Sequence, residues 1–82
     1  MKWHHTKPSS EFIEQWTLRA CGNKPLCSLR RNPEGGWFSS LLSLCGKEAK
    51  VVELRAPNLA EAQRRSVRNL RLMGWKLSAG DA

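Results

Sequence analysis

The chain has 82 residues, with 14 lysines and arginines against seven acidic residues and a net charge of +7. A chain of this length forms one small domain, and its charge favours an anionic partner, nucleic acid ahead of a membrane surface. No apolar run reaches the roughly 18 residues that span a bilayer, and the first residues lack the apolar stretch of a signal peptide. We therefore expect an intracellular, cytoplasmic protein that is not secreted and has no membrane partner.

The first element of the domain is predicted to be a helix. Residues 1–8 are expected to form a flexible basic arm, and Ser9-Ser10-Glu11 after it is typical of a helix start. The apolar residues that follow recur at helical spacing, and they are Phe12, Ile13, Trp16, Thr17 and Ala20. Gly22 is a plausible stop. A strand over the same residues is the alternative, but it places Glu14 among the apolar side chains.

Three short strands are predicted in the middle of the chain, over residues 26–31, 37–45 and 51–54. A dense turn signal at residues 32–36 separates the first two, and Gly46-Lys47-Glu48 separates the last two. Two turns that join three short strands predict an antiparallel meander.

The last element is a helix that begins after the capping residue Asn58 and runs to about Met73. Its apolar face consists of Leu59, Ala62, Ser66, Leu70 and Met73. Gly74 stands where a left-handed cap is needed, and Trp75 is placed to pack back on Leu70 in a Schellman ending. The predicted fold is α+β in the order α-β-β-β-α, a three-stranded antiparallel sheet with two helices on one face. It occupies residues 9–75, followed by a frayed tail over 76–82.

The cysteines indicate a reducing compartment. Cys21, Cys27 and Cys45 are an odd set without a Cys-x-x-Cys pair, unlike a disulfide-bonded secreted domain. Their spacing with His4 or His5 matches no common zinc pattern. We expect them to be small core residues, with no metal and no cofactor.

The element order and two segments resemble the double-stranded RNA-binding domain over residues 8–75. The first helix of that family commonly reads Pro-x-Ser-Leu-Leu-Asn-Glu, and here the chain reads Pro8-Ser9-Ser10-Glu11-Phe12-Ile13-Glu14. Its second helix reads Ser-Lys-Lys-x-Ala-Lys-x-x-Ala-Ala, and residues 58–67 keep a capping residue and the small Ala62 and Ser66. The family's three lysines are replaced by Leu59, Ala60 and Gln63, and its Gly-Pro-x-His loop by Gly35-Gly36-Trp37-Phe38.

The candidate nucleic-acid-binding residues form two groups. Arg64, Arg68 and Arg71 share one face of the last helix, and Arg65 lies further round, within reach of Glu61. The resemblance implies that Arg30, Arg31 and Asn32 occupy a loop that enters the RNA minor groove, and that Glu14 bonds a ribose hydroxyl. Each group has an alternative interpretation without a binding role. The helix arginines would be a solvated helix face, Arg30, Arg31 and Asn32 would be ordinary turn composition, and Glu14 would be an ordinary exposed glutamate.

The leading functional hypothesis is a nucleic-acid-binding module, with shape-based binding of double-stranded RNA as the form that the resemblance implies. The alternative is a protein-interaction or dimerisation domain on the same scaffold, including a small inhibitor protein. Leu41, Leu42 and Leu44 support that alternative, because adjacent strand residues face opposite sides and some of these leucines would lie on an uncovered face. Trp16 and Trp75 are expected in the core, and Trp37 is expected to be exposed.

An enzyme is not expected. The sequence has no Ser/His/Asp arrangement and no phosphate-binding loop, and its two histidines, His4 and His5, are adjacent in the predicted arm. A flexible arm does not provide the rigid geometry that catalysis needs.

Overall fold

The structure is a five-stranded antiparallel sheet followed by one helix. It is a computed structural model that describes residues 2–7, 12–20, 24–43 and 49–77. The strands lie side by side in chain order, each paired with the next. The elements are β1 (Lys2–Thr6), β2 (Glu14–Arg19), β3 (Pro25–Arg31), β4 (Trp37–Leu42), β5 (Ala49–Leu54) and α1 (Leu59–Leu72).

The predicted α-β-β-β-α order is wrong, because the first predicted helix contains strand β2 and a further strand precedes it. Trp16 in β2 pairs with His5 on one side and Leu29 on the other. Its neighbour Leu18 is fully buried. Helical spacing in this segment is a local preference, and pairing on both sides with burial outweighs it. Within the described residues the sheet therefore has five strands rather than three, and one helix packs on it.

Glu14, which made a strand unfavourable in the sequence analysis, forms a side-chain hydrogen bond on the sheet. Glu14 and Trp16 lie two residues apart in β2 and therefore on the same side of the sheet. Trp16 Nε1 donates to Glu14 Oε1 at 3.0 Å. The carboxylate is therefore satisfied beside the indole.

The remaining elements lie where the sequence places them. Strands β3, β4 and β5 overlap the three predicted strands, and α1 follows its predicted cap, with the Asn58 side chain accepting from the Glu61 backbone N–H at 2.9 Å. The Schellman ending is confirmed: Gly74 has φ +103°, and the Trp75 backbone N–H donates to the Leu70 carbonyl at 3.1 Å. Trp75 Nε1 also donates to the Leu42 carbonyl at 2.8 Å, which ties the end of the helix to β4.

The core lies between α1 and one face of the sheet. The helix buries Ala62, Ser66, Val67 and Leu70 there. The sheet contributes Leu18, Leu26, Cys27, Leu29, Trp37, Leu41 and Leu54. Trp37 is 3% exposed, so the expectation that it lies on the surface is wrong. Along β4 the burial alternates from Trp37 to Ser39 to Leu41, which places the indole on the covered side.

Several sequence predictions fall on segments outside the described residues. These are the helix start at 8–11, the stop at 21–23, the turn at 44–48 with Leu44, the thiols of Cys21 and Cys45, and the tail at 78–82. Within the described part of the chain, α1 is too short and too polar to cross a membrane.

The buried thiol of Cys27 makes stability depend on alkaline pH. Burial raises the pKa of Cys27 from 9.0 to about 12. Above pH 9 the unfolded thiol releases its proton while the folded one keeps it, so the free energy of unfolding falls as pH rises towards 12.

Between about pH 8 and about pH 10, we expect the free energy of unfolding to fall by about 1.4 kcal/mol more in the native protein than in the Cys27→Ala variant. Urea unfolding of both proteins at the two pH values measures the difference. Lysine and arginine ionisation is common to both proteins and cancels. Equal losses would contradict the assignment of a buried, neutral thiol to Cys27.

Candidate functional site

The outer side of α1 carries three arginines that line one groove. Arg64, Arg68 and Arg71 border a groove of about 530 Å³ between α1 and the β1 edge of the sheet. Trp3 of β1 and Val67 of α1 give it an apolar wall. We call this feature the arginine groove. The helical spacing of the three arginines, at i, i+4 and i+7, is what brings them to the same side.

The positive charge of the arginine groove is only partly neutralised. Glu61 Oε2 lies 3.3 Å from Arg64 Nη2, but the Arg64 side chain is 77% exposed and such a pair is weak. Arg68 is exposed and forms no hydrogen bond or ion pair with another described residue. Arg71 Nη2 donates to the Leu77 carbonyl at 3.5 Å, a long bond to a neutral acceptor. The groove therefore presents a cluster of guanidinium groups to solvent and attracts anions.

Arg65 does not belong to the groove. Its Nε lies 3.1 Å from Glu61 Oε1, and its Nη1 donates to the Arg55 carbonyl. The first contact lies within α1, and the second ties the helix to the segment that follows β5. Of the four predicted helix arginines, Arg65 is thus the one with a structural role.

The second basic surface is the side of the sheet opposite α1, which we call the open face. Paired residues of an antiparallel sheet share a side, and the register places Lys2, Arg19 and Arg30 together on this one. Glu53, paired with Phe38, is the acidic residue that the register places there. No helix in the described part of the chain packs over it. The open face therefore carries more basic than acidic side chains.

A small cavity opens on this face at the ends of β3 and β4. It has a volume of about 260 Å³, and its lining residues are Phe12, Arg30, Asn32, Phe38, Ser40 and Val51. The Arg30 guanidinium carbon lies 5.3 Å from the centre of the Phe12 ring, and Arg30 Nε donates to Ser28 Oγ at 3.4 Å. Asn32 Oδ1 accepts from the Gly36 backbone N–H at 2.7 Å. We call this the phenylalanine cavity.

The structure separates the residues that were predicted to act together in a loop. Arg30 and Asn32 line the phenylalanine cavity, whereas Arg31 points to the covered side, with its guanidinium carbon 5.6 Å from the centre of the Trp37 ring. The Nε of Arg31 is buried without a hydrogen-bond partner. Glu14 is also on the covered side, bonded to Trp16, and lies in a strand rather than on a helix.

Three aromatic residues of these surfaces were not recognised from the sequence. Trp3 was assigned to the arm, and Phe12 to a helix core, but Trp3 lines the arginine groove and Phe12 lines the phenylalanine cavity with Phe38. Strand alternation is a sequence signal that places Phe38 on the side of β4 opposite Trp37 and Ser39, and the burial of those two residues shows that this side is the uncovered one. Neither Trp3 nor Phe12 has such a local signal.

Searches of protein-family profiles, of curated proteins and of solved structures found no match to this chain.

The arginines of the groove repel one another, and this repulsion is measurable. Arg68 stands four residues after Arg64 and three before Arg71, and each like-charge pair of this spacing costs roughly 0.2–0.5 kcal/mol. Gln has a helix propensity close to that of Arg. We expect Arg68→Gln, which removes two such pairs, to raise the melting temperature by about 2–8 °C at low ionic strength.

Thermal unfolding by circular dichroism tests this expectation, and the gain should shrink at high salt because screening removes the repulsion. Arg55→Gln, an exposed arginine before the helix, is the matched control and should not show the gain. A lower melting temperature for Arg68→Gln would show instead that its aliphatic stem stabilises the fold by packing.

Proposed function

We propose that this protein binds nucleic acid through the arginine groove. The observation that supports the proposal most directly is the convergence of three exposed guanidinium groups on one groove, where the described residues supply one weak ion pair, to Glu61. Guanidinium groups form paired, charge-assisted hydrogen bonds with phosphate oxygens. A polyanion would also convert the repulsion within the cluster into attraction, since it releases its counterions when the arginines bind.

The spacing of the groove arginines suits consecutive phosphates. Arg64 and Arg71 are seven residues apart, which is about 10 Å along a helix axis. Successive nucleotides of one strand advance about 3.4 Å along a duplex axis, so the groove spans about three of them. The apolar wall formed by Trp3 and Val67 suits the less polar surface of a sugar or base.

The proposal is for nucleic acid in general, with double-stranded RNA as the form to test first. Double-stranded RNA was implied by a resemblance that depended on two helices, and the chain has one in its described part. The charge of the groove attracts any phosphate backbone. The form of the strand is therefore a question for measurement.

We expect the Arg64→Gln, Arg68→Gln double variant to bind nucleic acid more weakly and with less dependence on salt. Each lost phosphate contact should reduce the slope of log affinity against log salt by about 0.7–0.9. The measurement is a titration with duplex RNA of about 20 base pairs, which exceeds the roughly 16 that an RNA-duplex-binding domain covers. Single-stranded RNA and duplex DNA of the same length are titrated beside it.

The matched control is the Lys50→Gln, Lys76→Gln variant, which removes the same charge from exposed residues outside the groove. If the two double variants bind alike, the effect belongs to net charge and the groove is not the site. If the native protein binds none of the nucleic acids at low salt, the proposed function is wrong.

A second candidate is self-association through the open face, favoured by an exposed valine. Val51 is 67% exposed and lies on the open face opposite Ser40, beside the pair formed by Leu42 and Ala49. An apolar contact there would depend little on salt, unlike a nucleic-acid complex. The same face would serve a docking partner or an inhibited enzyme.

We expect a protein that self-associates in this way to become monomeric in the Val51→Lys variant, because burying an unpaired ammonium group is costly. Leu72→Lys is the control, since Leu72 is 76% exposed and lies on α1. Light scattering after size-exclusion chromatography gives the mass of each. A monomeric native protein at high concentration would contradict this candidate.

A further inference from the structure

We infer that the open face binds a single-stranded nucleic acid and that the phenylalanine cavity holds one of its unpaired bases. This inference concerns a surface on the opposite side of the sheet from the arginine groove. It goes beyond the proposed function, because it assigns a second binding site and states that this site takes single-stranded nucleic acid. The occupant is a single strand of RNA or DNA, whose shared chemistry is an exposed aromatic base next to a phosphate.

The size and walls of the cavity suit one flat ring system. Its volume of about 260 Å³ is slightly below the 300–1,000 Å³ typical of pockets for drug-sized ligands. Two phenylalanine rings and the exposed Val51 supply apolar wall, while Arg30 and Asn32 supply polar groups at the rim. Bases stack on aromatic side chains without regard to sequence, because every base has a π-face.

A path for the rest of the strand runs from this cavity across the sheet. Thr17 pairs with Ser28, Ser28 with Ser40, and Ser40 with the cavity residue Val51. These residues therefore form one row across four strands on the open face. At about 4.8 Å between strands, the row is about 14 Å long. Its hydroxyl groups can donate to phosphate oxygens or base edges.

The charge of the open face complements a phosphate backbone. Lys2, Arg19 and Arg30 are on this side, against one acidic residue, Glu53, which pairs with the cavity residue Phe38. Arg30 links the two features, because its guanidinium group lies near the Phe12 ring and its Nε bonds to Ser28 of the hydroxyl row. A phosphate bound there would lie next to the cavity that receives its base.

A duplex does not fit this arrangement, because its bases are stacked on one another and paired. Aromatic side chains reach only bases that are splayed out of a helix, as in single strands, loops and bulges. An apolar protein partner fits it less well, because the centre of the face is a row of hydroxyl groups flanked by basic residues. The observations therefore favour a single strand.

The test compares binding to a uridine oligomer of about 12 nucleotides with binding to a duplex RNA of the same length. This length is within the range of single-strand site sizes. The variant is Phe12→Leu, Phe38→Leu, which keeps apolar side chains and removes both π-faces. We expect its affinity for the single strand to fall roughly 5- to 150-fold for each base that stacks. Its affinity for the duplex should stay within a factor of two of the native value.

Two further proteins keep the test decisive. Leu72→Ala is the matched control, an exposed apolar residue of α1 that should change neither affinity. Arg30→Gln is the second variant, with the ring pair intact, and it should weaken single-strand binding and reduce its salt dependence. If circular dichroism shows that the double phenylalanine variant does not fold, Arg30→Gln alone decides the question.

The outcome for this site is separable from that for the arginine groove. Unchanged single-strand affinity in the folded phenylalanine variant, or no binding of the oligomer by the native protein, overturns the inference. A native protein that binds the duplex but not the oligomer leaves the proposed function standing and this inference refuted. Conversely, loss of single-strand binding in the phenylalanine variant but not in Arg64→Gln, Arg68→Gln supports the open face as the single-strand site, and the duplex titration then decides the role of the arginine groove.

Discussion

The packing of one amphipathic helix against one face of the sheet decides where every other residue of this protein can act. Ala62, Val67 and Leu70 of α1 cover the side that carries Leu18 and Leu41. Because strand residues alternate, that single choice assigns each second residue of five strands to solvent. Among the described residues no helix packs on the other side, so they leave that sheet face open to contacts.

The same constraint explains why the basic residues form two surfaces rather than one. The arginines of α1 face away from its buried stripe and meet the β1 edge, where Trp3 completes the groove. The register of the strands places the basic residues of β1, β2 and β3 on the open face. Two cationic surfaces on opposite sides of a core suit a long polyanion, or two segments of the same polyanion. Their chemistry differs: the arginine groove presents guanidinium groups, and the open face presents aromatic rings and hydroxyl groups.

The sequence predicted α1 well because its signals are local. Asn58 caps it, Gly74 and Trp75 end it, and its apolar residues recur at helical spacing, so the groove arginines could be placed together without knowledge of the sheet. Residues 12–20 satisfy both helical and strand periods. They form a strand because they pair with the segments before and after them. That pairing cannot be predicted from residues 12–20 alone.

The rest of the candidate surfaces depends on the register between adjacent strands, which no single segment specifies. Arg30 and Arg31 were treated as one loop feature, but as adjacent strand residues they point to opposite sides. The phenylalanine cavity joins Phe12, Phe38 and Val51, which come together only once β2, β3, β4 and β5 are aligned. Short-range patterns cannot place such a cavity, although alternation along β4 does assign the Phe38 side chain to a face.

The order of the strands has a consequence for synthesis. Each strand pairs with its predecessor in the chain, so hairpins can close one after another without threading or waiting for distant segments. The helix that covers the apolar face is the last of the six elements in the chain. A growing chain therefore presents Leu18, Leu29 and Leu41 uncovered until Leu59–Leu72 has been made and has docked, and aggregation or chaperone binding is most favoured in that interval.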